Sequence, residues 1–157
     1  MRWHGARRRW LDAGMSDDLP DGYEISTDAA RLDVGLVHRW LSEDAYWALG
    51  RSLRKQEDAI AGSLNFGLYD RASGAQLAYA RVVTDRATFA WLCDVYVDRG
   101  VRGKGLGGAL VDAVCAHLEP YGLRRVLLAT ADAHDVYARA GFAPLATPGK
   151  WMALGEQ

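Results

Sequence analysis

The run Val95-Tyr-Val-Asp-Arg-Gly-Val-Arg-Gly-Lys-Gly-Leu-Gly-Gly-Ala-Leu-Val111 limits the fold more than any other, because it carries a β-type apolar strand through a basic glycine turn into a helix. A helix start leaves backbone N–H groups unpaired at the positive end of the helix dipole, so this junction suits a phosphate. Gly103, Gly105, Gly107 and Gly108 let the backbone approach such a ligand closely, and Arg99, Arg102 and Lys104 add positive charge. The junction therefore predicts an anion site inside an α/β domain.

Composition narrows the setting. A chain of 157 residues, 50% hydrophobic and 25% charged, fits one domain with a full core. Its formal charge of −1 argues against a general nucleic-acid binder. No apolar run approaches the roughly 20 residues that span a bilayer, so a membrane partner is not expected. Cys93 and Cys115 lack metal or disulfide spacing and both read as reduced core thiols of a cytoplasmic protein. His4, His38, His117 and His134 show no paired metal spacing, so no metal is expected. Arg2, Arg7, Arg8 and Arg9 with Trp3 and Trp10 set residues 1–20 apart as a loose arm, without the apolar segment of an export signal, and Met15 offers an alternative start.

In chain order, Tyr23–Thr27 reads as a short strand, Ala29–Leu41 as an amphipathic helix and Ser52–Ala61 as a second helix with a thin apolar face. Leu64–Tyr69, Ala75–Val83 and Thr88–Val97 alternate with turn clusters, the pattern of an antiparallel meander. The last of these is apolar at nearly every position, as for a strand covered on both faces. Leu106, Leu110, Val114 and Leu118 mark one helix face, stopped by Pro120 and Gly122. A strand at Arg125–Thr130, a helix at Ala133–Ala140 and closing strands at Phe142–Leu145 and Lys150–Leu154 complete the expectation.

Three phosphate motifs compete for the glycine loop. Walker A fails because no Ser or Thr follows Lys104, and the match of Gly103, Gly105 and Gly108 to a dinucleotide fingerprint lacks the parallel sheet that should surround it. Arg102-x-x-Gly105-x-Gly107 after a Val-x-Val strand, together with Val136-Tyr-Ala-Arg-Ala-Gly-Phe142, resembles the two landmarks of the GNAT N-acetyltransferase superfamily. The Asn that many members carry before the second landmark is absent, and Thr130, Asp132 and His134 stand there instead.

The resemblance implies an α/β fold with a mixed, largely antiparallel sheet of six to seven strands and about four helices, over residues 21–157. It implies acetyl-CoA as co-substrate, with its pyrophosphate on Arg102, Gly103, Lys104, Gly105, Leu106, Gly107 and Gly108 and its pantetheine arm along Val95, Tyr96 and Val97. A backbone N–H there would stabilise the oxyanion, and Tyr137 would be the acid that protonates the leaving sulfur. Asp94, a carboxylate in an apolar strand, requires a partner; it reads as binder of the acceptor ammonium, as a base through water, or as a hydrogen-bonded structural group. Strand segments of the form L-x-D-x-[YF]-V occur in diamine and polyamine acetyltransferases, which this stretch resembles. The acceptor pocket is expected around His38, Tyr46 and Trp47, with Trp40 in the core. The expected reaction is direct acetyl transfer to a primary amine of a small molecule. A protein Lys or N-terminal acetyltransferase and a silent acyl-CoA-binding regulatory module are the alternatives, and the sequence leaves room for a homodimer.

Overall fold

The computed structural model describes residues 19–156. The expected arm lies outside these residues except for Leu19 and Pro20, and Leu19 packs against the core. Five strands, β1 (Tyr23–Ser26), β2 (Leu64–Asp70), β3 (Gln76–Thr84), β4 (Phe89–Val97) and β5 (Arg125–Leu127), form one sheet in sequential order. All pairings are antiparallel except β4 with β5, which are parallel and joined through a helix. Helices α1 (Val34–Asp44), α2 (Leu53–Ala61), α3 (Leu106–Leu118) and α4 (His134–Arg139) flank it.

The first helix begins later than its periodicity predicts because two aspartates compete to cap it. Asp28 accepts from Ala30 N at 2.9 Å and closes a short 3-10 turn over Ala29–Arg31, then Asp33 accepts from Leu36 N at 3.0 Å and starts α1. Ser52 caps α2 in the same way through Lys55 N at 3.2 Å. The face of α3 follows the predicted spacing, with Leu106, Leu110, Val111, Val114 and Leu118 buried against Phe66, Leu68, Ala80, Val82 and Leu92 of the sheet. On the opposite face α1 buries Val37, Trp40 and Leu41 against Tyr79 and Tyr96.

Three expectations change. The sheet has five strands among the described residues, not six or seven. Residues 142–146 are irregular and Pro148–Lys150 form a 3-10 turn, because Pro144 removes a ladder donor from the first expected strand and Pro148 interrupts the chain before the second. β4 is not covered on both faces throughout, since Phe89 and Trp91 are each 36% exposed. The strand after α3 is also shorter than predicted, ending at Leu127.

The register of β4 is set by one extra residue. Cys93 pairs with Arg81 and Tyr96 with Tyr79, so Asp94 and Val95 together face Ala80. This bulge puts Asp94 at φ +53°, in the left-handed region that few non-glycine residues occupy. It also shifts the alternation, so that Val95 and Val97 pack with Leu92 towards α3 while Tyr96 joins the cluster under α1.

Packing on β2 is equally specific. A Cβ built on Gly67 would lie 2.3 Å from the hydroxyl oxygen of Tyr69, whose buried ring lies under the Arg31 guanidinium at 4.3 Å. Gly67→Ala is expected to destabilise the fold by about 1–3 kcal/mol, because the ring has no free space to retreat into. Urea denaturation of the two proteins measures this directly.

Candidate active site

A cavity of about 1210 Å³ lies where β4 and β5 part. Sites for one small ligand run to roughly 300–1000 Å³, so this one has room for two reactants. β5 pairs with β4 only through Leu127, opposite Trp91, while β4 continues to Val97. The gap exposes the β4 backbone from Leu92 to Val97, and Val95, Tyr96 and Val97 line the cavity.

At one end lies the glycine loop. Gly103 and Gly105 have φ of +80° and +78°, which demands glycine, and among the described residues nothing lies within 4 Å of a Cβ built on either residue or on Gly108. Gly105 caps α3 without a side-chain hydrogen bond, so the first-turn amides face an open cradle. The cations behave differently from the expectation. Arg99 is paired with Asp44, which also accepts from the Tyr96 hydroxyl. Arg102 donates from Nε to the Val97 carbonyl at 2.9 Å and lies over the Tyr96 ring at 5.1 Å. Lys104 is not among the cavity-lining residues. Arg99 and Arg102 nonetheless line the cavity beside the loop.

Tyr137 of α4 borders the same cavity. Its helix ends at Gly141, whose φ of +99° reverses the chain so that Phe142 N donates to Tyr137 O at 3.1 Å and the two rings meet edge to face at 6.0 Å. Burial, reinforced by Tyr46 and Asp132, pushes the Tyr137 phenol up to about 12. It remains a protonated donor at any physiological pH. Burial also pushes the Cys93 thiol up to about 11, although Arg81 opposes this, so Cys93 lines the cavity as a neutral thiol rather than sitting wholly in the core.

At the other end, Asp94 is almost completely enclosed and receives four hydrogen bonds. Trp47 Nε1 donates to Oδ1 at 3.1 Å, Arg51 Nη1 and Nη2 donate to Oδ2 and Oδ1 at 2.6 and 3.2 Å, and Arg81 Nε donates to Oδ2 at 2.8 Å. Burial opposes ionisation, but the Arg51 hydrogen bonds and the Arg81 charge outweigh it and hold the carboxyl below its ordinary range. Four donors fill the acceptor capacity of a carboxylate, leaving no lone pair for an ammonium or a water.

These features carry known company. Residues 13–142 match the acetyltransferase (GNAT) family. The chain belongs to the GNAT acetyltransferases. It is 30% identical over 135 residues to an inferred acetyltransferase of Gibberella zeae, covering 74% of this chain and 76% of the relative. A crystal structure of an inferred GNAT acetyltransferase from Xanthomonas campestris pv. campestris superposes with a TM-score of 0.82 at 47% identity, over 88% of this chain and 95% of that one. The fold is also that of N-acetylglutamate synthase from Neisseria gonorrhoeae, solved with coenzyme A and N-acetyl-glutamate, with a TM-score of 0.64 at 17% identity over 78% of this chain and 28% of that one. The family uses acetyl-CoA. The open glycine cradle and the parted strands of this chain fit a long, phosphate-bearing thioester.

Among the residues singled out for this GNAT domain, Tyr46, Trp47, Asp94, Val95, Tyr96, Val97, Arg102, Gly103, Gly105, Leu106, Gly107, Gly108 and Tyr137 converge on the cavity. His38 does not line it. Its Nε2–H donates to the Arg51 carbonyl at 2.8 Å, so it steadies the backbone of a cavity residue from behind. Trp40 is core, stacked on Tyr96 at 5.3 Å. Thr130 Oγ1 accepts from Ala133 N at 3.0 Å in the turn that leads into α4. Sequence reasoning missed Arg51 and Arg81. The available signal was Asp94 itself, since a carboxylate in an apolar strand requires cationic partners, and Arg81 is the charged residue inside β3.

Asp94→Asn keeps a side chain that tolerates the left-handed backbone but leaves two largely buried guanidinium groups without their counter-ion. The expected loss is about 3 kcal/mol or more at neutral pH. The folded carboxyl titrates below the unfolded value of about 3.9. Its contribution is therefore complete above that value and lost as pH falls through the folded pKa, so the gap between the two proteins is constant near pH 7 and closes below about pH 4. Denaturation midpoints across pH test both the size and the sign.

Proposed function

We propose that the chain transfers an acetyl group from acetyl-CoA to the primary amine of a small molecule by direct attack, with both reactants in one cavity. The observation that carries this reading is the continuity of that cavity from the open cradle at the start of α3, along the parted edge of β4, to Tyr137 and Asp94. In this reading the amides of the loop and of the first turn of α3 hold the pyrophosphate. The unlatched backbone of Val95 to Val97 pairs with the pantetheine arm and offers an N–H to the thioester carbonyl.

Tyr137 serves as hydrogen-bond donor to the departing sulfur. A phenol at about 12 against about 8.5 for a free thiol makes complete proton transfer uphill by roughly 5 kcal/mol. The hydroxyl therefore stabilises developing negative charge first, and its proton moves as the desolvated thiolate gains basicity. The filled hydrogen-bonding capacity of Asp94 favours a positioning role over a base or an ammonium site. It fixes Arg51, Arg81 and Trp47 around the acceptor end, and the two cations beside it disfavour a polyamine.

A small acceptor is favoured over a peptide by the tie between two walls. The Tyr46 hydroxyl, in the loop after α1, accepts from Ala131 N at 3.0 Å in the loop after β5, so the acceptor end is bounded rather than open as a trough. A thiol-release screen of amines, amino acids, polyamines and peptides with acetyl-CoA tests the proposal, with turnover expected for small amines. Tyr137→Phe should lower kcat at least about tenfold while leaving acetyl-CoA affinity within about twofold. An unchanged kcat would remove Tyr137 from the mechanism.

A further inference from the structure

The cluster around Asp94 holds more positive charge than it needs. Arg51 and Arg81 are paired with a single carboxylate, and their side chains are only 16% and 15% exposed. Both line the cavity. Arg51 gives Nη1 to Gln56 Oε1 at 2.9 Å and to Asp94, and one Nη2 hydrogen to Asp94. Arg81 gives Nε to Asp94 and Nη1 to Ser63 Oγ at 3.1 Å. Arg51 Nε and Arg81 Nη2 have no hydrogen-bond partner among the described residues. No second acidic residue forms an ion pair with either arginine among the described residues. Cys93 and Tyr79, the other titratable groups that act on Arg81, are both pushed up by burial and stay neutral.

A desolvated positive charge is costly without a counter-charge, and spare guanidinium N–H groups at a cavity wall have a definite chemical complement. The excess is one unit, which matches a monoanion rather than a phosphate dianion. The planar fork of arginine selects a planar, two-oxygen acceptor. Asp132 lines the same cavity, has no ion pair among the described residues, and its charge acts on Tyr137. One wall thus offers unspent N–H groups and another offers an unspent carboxylate near the group that meets the reacting sulfur.

We infer that the acceptor carries a carboxylate as well as its amine, in the manner of an amino acid, and that this carboxylate docks on Arg51 and Arg81 while Asp94 holds the two guanidinium groups in place. The inference rests on the acetyl-transfer reading and adds the substrate class. It reverses the polarity suggested by the strand motif alone: Asp94 does not receive a cationic substrate but organises the cations that receive an anionic one.

The test compares amino acids with their own carboxamides as acceptors for the native chain, using acetyl-CoA and thiol release. Pairs are compared at equal free-amine concentration, since amidation lowers the amine pKa. The acid should exceed its amide in kcat/KM by about tenfold to a hundredfold for at least one side chain, the range of one charge-assisted hydrogen bond or two. In Arg81→Lys, which keeps the charge and loses the fork, that ratio should fall towards one. Amides that react as well as acids across the panel would overturn the inference and leave amine acetylation standing. If no amine at all releases thiol, the acetyl-transfer reading fails, and equilibrium titration of N-acetyl amino acids and their amides in the presence of coenzyme A decides the subsite. Acid binding at least about tenfold tighter than amide binding supports it, and equal binding overturns it.

Discussion

The pairing of Asp94 with Arg51 and Arg81 is the interaction on which the working half of the molecule depends. A carboxylate at φ +53° inside a strand is doubly expensive, once for its backbone and once for its burial. Four charge-assisted hydrogen bonds from α2's approach, β3 and the loop after α1 offset both. The bulge that results changes the phase of β4. Val95 and Val97 then face α3, and β4 runs on towards the glycine loop beyond the point where β5 ends at Leu127. A single buried ion cluster therefore holds one end of the cavity and lies at the bulge that sets the phase of the strand lining the rest of it.

Around that cluster the support is layered. His38 holds the Arg51 carbonyl, Gln56 holds the Arg51 guanidinium, and Ser63 holds Arg81. Asn65 fixes Ser63 in turn, donating to its carbonyl at 3.1 Å and accepting from the Tyr79 hydroxyl. These hydrogen bonds offset most of the cost of burying the polar groups, although Gln56 Nε2 is buried without a partner among the described residues. They fix the cavity wall more firmly than its loop-borne position would suggest. The opposite wall is held differently: α4 is a helix of six residues, and Tyr137 owes its orientation to the reversal at Gly141 and to the Phe142 ring.

Legibility in the sequence followed the range of the interaction. The glycine loop, α3 and the Tyr137-to-Phe142 turn were readable because each is a local solution to backbone geometry, fixed by spacing within a dozen residues. Tyr46 and Trp47 were readable as pocket residues because aromatics in a polar stretch stand out. His38 lies behind the cavity wall, and a resemblance that points to the first helix does not say which of its side chains face the cavity. The closing strands were misread because a short apolar run looks the same whether or not an edge exists to receive it, and Pro144 and Pro148 weighed more than their apolar neighbours. Arg51 and Arg81 were missed because the sequence separates them from Asp94 by 43 and 13 residues.

The sequence alone therefore determined the family and the open backbone of the glycine loop, because left-handed backbone before a helix requires glycines at fixed positions. It also established that Asp94 must have a partner. Only the tertiary structure decided what that partner is, and with it the balance of charge at that end of the cavity. Charge balance in a buried corner is a sum over residues brought together by the whole fold, and no stretch of chain contains it.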